Sequence, residues 1–137
     1  MKVLLASLLC MSALASSLTV KVVGFKNYNG SAQVALWDTP SGFPDDYNTA
    51  YLTKTTKATK NYSVTFENLK PGSYAVAMYH DKNNNLQMDT NFFGIPKEGF
   101  GFSNNPTIFT GPPSFTKVKF IVKENQNKSI TIKLKHF

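Results

Sequence analysis

The sequence predicts an all-β protein: one domain, an antiparallel β-sandwich of about seven strands. Three observations predict it. Beyond the first 15 residues, apolar side chains recur at every second position and helical periodicity is nearly absent. Turn signals built from Asn, Gly and Pro punctuate the chain between those runs. Neither an internal repeat nor a linker long enough to divide the chain is present.

Residues 1–15 read as a signal peptide. Met1-Lys2 is a short positive start, Val3 to Leu14 is an apolar run, and Ala13-Leu14-Ala15 supplies the small residues of a cleavage site. The run is shorter than the roughly 20 residues that span a bilayer, and no other segment is apolar enough to cross one. The expectation is cleavage between Ala15 and Ser16, and a periplasmic or secreted location. Cys10, the only cysteine, leaves with the signal, so the mature domain of residues 16–137 carries no disulfide. Removing 15 residues from 137 leaves 122, enough for a single packed core.

The mature charge is +6, from 14 Lys against eight Asp and Glu, with no Arg. The lysines are scattered, and Lys117 with Lys119 and Lys133 with Lys135 alternate as on a solvated sheet face. Without Arg there is no bidentate fork for phosphate or guanine, which argues against a nucleic-acid partner. Attraction to an anionic envelope surface or polysaccharide stays open. A monomer is expected.

The strands follow in order. Leu18 to Val22 alternates apolar with polar. Asn29-Gly30 is a hairpin signal, since both residues tolerate positive φ. Ala32 to Trp37 is the next strand, closed by Trp37 as a core aromatic, and Asp38 to Asp46 is turn-rich. Ala50 to Lys60, rich in Thr and Lys, reads as an edge strand. Tyr62 to Phe66 alternates cleanly and leads through the Asn68-Leu-Lys-Pro-Gly72 turn to Tyr74–Tyr79, the most apolar and hence central strand. Phe115 to Val122 and Ser129 to Lys135 form a last pair around a polar turn at residues 124–127.

Chemistry concentrates after Tyr79. Asp81, Asn83, Asn85 and Asp89 fall at positions 1, 3, 5 and 9 of a calcium-loop pattern, with Gln87 at position 7, where a backbone carbonyl ligates. Leu86 stands where such loops have Gly, and Phe92 where they have a bidentate Glu. Two readings stand: a weak calcium site, or an Asn-rich turn held by side-chain-to-backbone hydrogen bonds without metal. Six of the 11 Phe residues lie between positions 92 and 115. They serve either as a cap on one end of the sandwich core or as an aromatic binding surface.

Phe66-Glu-Asn-Leu-Lys-Pro-Gly-Ser-Tyr74 resembles the pattern of prealbumin-like (Ig-like) sandwich domains, including the B-type repeats of Gram-positive adhesins. In those repeats an Asp-x-Asn-x-Asn loop followed by Gly-Ile-Pro is a calcium site, as Asp81–Asn85 precedes Gly94-Ile-Pro96 here. His80-Asp81, the Asn-rich loop, Phe93-Gly-Ile-Pro96, Glu98-Gly-Phe-Gly-Phe-Ser103 and Pro112-Pro-Ser-Phe115 are together similar to a family of small exported bacterial proteins classed as a domain of unknown function. The resemblance implies a transthyretin-like fold and an envelope location, and no activity.

An enzyme is not expected. The mature chain lacks Cys and has two His, which excludes Cys–His catalysis and a multi-histidine zinc site. Transthyretin-like hydroxyisourate hydrolases end in Tyr-Arg-Gly-Ser, whereas this chain ends Lys135-His-Phe137. The expected role is a binding or structural module for an envelope peptide or glycan. The alternative is a small hydrolase built on His80, Asp81 and Glu98.

Overall fold

The computed structural model describes residues 15–108 and 110–137; the expected signal peptide lies outside them apart from Ala15. The chain folds as two packed sheets. Sheet A has the order β4-β1-β8, from β1 (Ser16–Val23), β4 (Ser63–Leu69) and β8 (Asn127–Lys133). Sheet B has the order β3-β2-β5-β6, from β2 (Ser31–Trp37), β3 (Leu52–Lys57), β5 (Gly72–Asp81) and β6 (Phe100–Phe102), with β7 (Phe120–Val122) also paired to β5. All pairings are antiparallel except β1 with β8, which is parallel.

Alternation builds the core between the sheets. Leu18, Val20 and Val22 of β1 meet Ala32, Val34 and Leu36 of β2 and Tyr74, Val76 and Met78 of β5, all buried. The central place expected for Tyr74–Tyr79 holds, since β5 is paired on both sides. The edge strand expected within residues 50–60 is β3, exposed along its whole length.

Sheet B is buried on its other face as well, which the two-sided burial of β2 and β5 reports. There Ala35, Ala75 and Ala77 leave room for Trp37, Phe100, Phe102, Phe115 and Val118, with Phe43 and Tyr47 packed against them. Small residues on a strand face let large rings lie close to the sheet. Trp37 is fully buried in this outer cluster, its indole N–H donating to Thr49 Oγ1 at 3.1 Å.

Three expectations need correction. Asn29-Gly30 closes no hairpin: β1 and β2 lie in different sheets. Gly30 instead sits at φ +67 against the backbone of Asp81 and Lys82, where a Cβ would overlap the Asp81 carbonyl. Phe115–Val118 is a helical turn, α1, started by Ser114, whose Oγ accepts the Lys117 N–H at 3.2 Å. The final two strands do not pair, because β7 joins β5 and β8 joins β1. One strand escaped the sequence reading: β6, whose Gly101 permits the close approach of Ile132.

Among its described residues, the aromatic segment does not act as a single cap. It divides instead: Phe100, Phe102 and Phe115 roof the outer face of sheet B, whereas Phe92 and Phe93 are exposed.

Candidate functional site

β5 ends at Asp81, whose side chain follows Ala77 and Tyr79 onto the outer face of sheet B and is fully buried. Its Oδ1 accepts the Asn85 N–H at 3.1 Å, and its Oδ2 accepts the Leu86 N–H at 2.9 Å and Gln33 Nε2–H at 3.3 Å. One carboxylate thus ties three donors and curls the loop. Leu86 takes φ +61, so it adopts the positive φ that glycine would supply more cheaply.

Asp89 closes the loop from the other end. Its carboxylate accepts the side-chain amides of Asn83 and Asn85, each at 2.7 Å. These two bonds, Asn85's first, hold the Asp89 carboxyl below its usual range, with Lys97 adding to the effect. Beneath the loop, buried Glu98 accepts the N–H of Lys82 and of Asp89, both at 2.9 Å. Burial pushes the Glu98 carboxyl up, and the two N–H donors partly offset that.

Of the residues expected to bind metal, the structure brings together Asp81, Asn83, Asn85 and Asp89. The Gln87 side chain is exposed and turns up in the wall of a groove, with its N–H bonded to Asn85 Oδ1 at 3.0 Å. Among the described residues no group of three or more His, Cys, Asp or Glu is clustered for a metal. The donor chemistry, carboxylate and amide oxygens on a curled loop, fits calcium rather than a softer ion. Calcium must, however, compete with a loop that already satisfies itself: both Asn amides would have to turn their oxygens toward Asp89.

The residues of the alternative catalytic reading are not brought together. His80 lies on the opposite face of β5, in edge contact with Phe25, and its Nε2 is 2.5 Å from the Asn29 carbonyl. Asp81 and Glu98 lie across the sheet from it, tied to backbone N–H groups.

The sequence reading missed a groove of about 860 Å³ on the outer face of sheet B. Gln33, Thr53, Thr55, Tyr79 and Phe100 lie along its floor, and residues 44–48, the Asp81–Asp89 loop and the segment to Pro96 contribute its walls. Gln33 links floor to loop: its Oε1 accepts Thr55 Oγ1–H at 2.6 Å while its Nε2 reaches Asp81. Tyr47 and Tyr79 meet edge to face at 5.6 Å. Burial first, then the charges of Asp81, Glu98 and Asp89, pushes the Tyr79 hydroxyl up to about 12. Burial and Tyr79 itself push Tyr47 well above its usual value. Both hydroxyls therefore keep their protons and can donate. The one sequence signal was Gln33, a polar residue between apolar Ala32 and Val34.

Among curated proteins and solved structures, none matches this chain. The family described as uncharacterized protein conserved in bacteria (DUF2141) matches residues 20–131, and with most of its length inside that match the chain belongs to this family.

Proposed function

We propose that the protein is exported to the bacterial envelope and binds an extended neutral glycan in the groove over sheet B, without doing chemistry on it. The groove's lining carries this reading. A sugar ring offers apolar C–H faces and a rim of hydroxyls. Tyr47 and Tyr79 present aromatic surface with protonated hydroxyls, and Gln33, Thr53 and Thr55 present neutral donors and acceptors. Asp45 and Asp46 also line the groove and, among the described residues, no lysine does, which disfavours phosphate or nucleic acid in a protein of otherwise basic surface.

Export is supported by the apolar run ending at Ala13-Leu14-Ala15 and by β1, which starts at Ser16, so cleavage after Ala15 leaves every strand of the described residues intact. Calcium, when bound, would be held by Asp81, Asn83, Asn85, Asp89 and the Gln87 carbonyl, and would stiffen one wall of the groove. No helix of the described residues is long and apolar enough to cross a membrane.

A peptide ligand is the second reading, favoured by β3. This edge strand is exposed throughout and carries Thr53 and Thr55 into the groove, so an extended peptide could pair along it. A thermal-shift panel of soluble cell-wall glycan fragments, neutral oligosaccharides and peptides separates the readings. Stabilisation by glycans is expected. Stabilisation by peptides alone would favour the edge, and turnover in a hydrolase panel that is lost in His80→Ala would overturn the binding role.

A further inference from the structure

Residues 90–96 form a turn with an unusual load. Asn91 N–H donates to the Ile95 carbonyl at 2.8 Å, and Gly94 N–H donates to the Asn91 carbonyl at 2.9 Å. The Asn91 side-chain oxygen accepts the N–H groups of Phe93 and Ile95 at 2.9 and 3.0 Å. Gly94 at φ +76 completes the reversal. The turn is therefore built from within, and it holds Phe92 at 97% and Phe93 at 82% exposure, their rings edge to face at 5.6 Å. Ile95 within the turn and Leu86 earlier in the chain are also exposed. Neither ring contributes to either core cluster.

We propose that this tip docks on an anionic phospholipid surface, the two rings entering the headgroup region while Lys82 and Lys97 meet the lipid phosphates. Shape and charge favour a bilayer. Two protruding rings offer roughly 300–500 Å² of surface, at about 150–250 Å² each, well short of the about 800 Å² per partner that a stable protein interface takes. A convex apolar tip needs a partner that closes around it, and the acyl–headgroup boundary does so. The exposed charges favour cationic character: Lys82 and Lys97 are both exposed, Asp81 and Glu98 flanking them are buried against N–H groups, Asp89 between them is held by the Asn83 and Asn85 amides, and the mature chain carries a net +6. Lysines near an anionic leaflet add attraction that salt weakens.

The test is co-sedimentation of the mature protein with vesicles of phosphatidylcholine alone or mixed with phosphatidylglycerol, with size-exclusion chromatography alongside. Binding to the anionic vesicles is expected, and Phe92→Ala with Phe93→Ala should weaken it at least roughly tenfold while leaving the melting temperature unchanged. Lys82→Glu with Lys97→Glu should weaken it further than salt alone weakens the wild type. Absence of binding to anionic vesicles, or binding indifferent to the Phe substitutions, would overturn the proposal. So would a wild-type dimer that the same substitutions dissociate, which would assign the tip to self-association. Glycan binding in the groove is a separate readout, so either result leaves that reading standing or falling on its own.

Discussion

Glu98 holds Asp89 by its backbone: Glu98 Oε1 accepts the Asp89 N–H at 2.9 Å, and the Asp89 carbonyl accepts the N–H of the neighbouring Lys97 at 2.8 Å. With its other oxygen on the Lys82 N–H, Glu98 clamps both ends of the loop that walls the groove. Glu98→Ala strands two N–H groups beneath that loop, and each buried unsatisfied donor costs about 1–3 kcal/mol. Glu98→Gln keeps one acceptor and should lose less. Denaturant unfolding checks this ranking, and equal stability of the two variants and the wild type would refute the clamp.

The proposed calcium site in this loop is open to a thermal test. Binding to the folded state alone stabilises by mass action, about 2.7 kcal/mol at 100 times the dissociation constant. Two carboxylates place the affinity no tighter than roughly 10⁻⁴–10⁻³ M. Millimolar calcium should therefore raise the melting temperature, and Asp81→Asn and Asp89→Ala should abolish the rise. A melting temperature indifferent to calcium and to chelator would leave the hydrogen-bonded turn as the whole account.

Alkaline pH tests the floor of the groove. Tyr79 ionises in the fold only at about 12, against an ordinary 10.0. A raised value means the stabilising contribution is complete below pH 10.0 and is lost as pH rises through about 12. Tyr79→Phe removes that loss, so the onset of alkaline unfolding should move to higher pH. An onset that does not move would place the sensitivity elsewhere, on Tyr47 or Tyr62.

The central strand offers a plain stability test. Val76 is fully buried between the sheets, and Val76→Asp leaves an unpaired charge there. The expected loss is several kcal/mol, enough to prevent folding or to melt the variant far below wild type. Near-native melting would mean that β5 does not face as described.

What the sequence made legible follows from local rules. Alternation at Leu18–Val22 and Tyr62–Phe66 named strands whose one face is buried, and the spacing of Asp81, Asn83, Asn85 and Asp89 named side chains that the fold does gather. Long-range pairing was not legible. Asn29-Gly30 looks like a hairpin turn whether the next strand pairs or crosses to the other sheet, and only packing of Gly30 on Asp81 decides. Pro112-Pro-Ser114 before Phe115 carried a helix-cap signal that the apolar alternation after it obscured. The groove stayed hidden because its lining comes from β2, β3, β5 and loops far apart in the chain, and no single segment bears its pattern.

Glycan binding in the groove is best tested by an amide and side-chain chemical-shift titration of the mature protein with the glycan fragment that stabilises it most. Perturbations should gather on Gln33, Thr53, Thr55, Tyr47 and Tyr79 and be lost in Thr53→Lys, which leaves the core untouched because Thr53 is exposed. Perturbations confined to the far face of sheet A, or binding unchanged in Thr53→Lys, would contradict glycan binding in the groove.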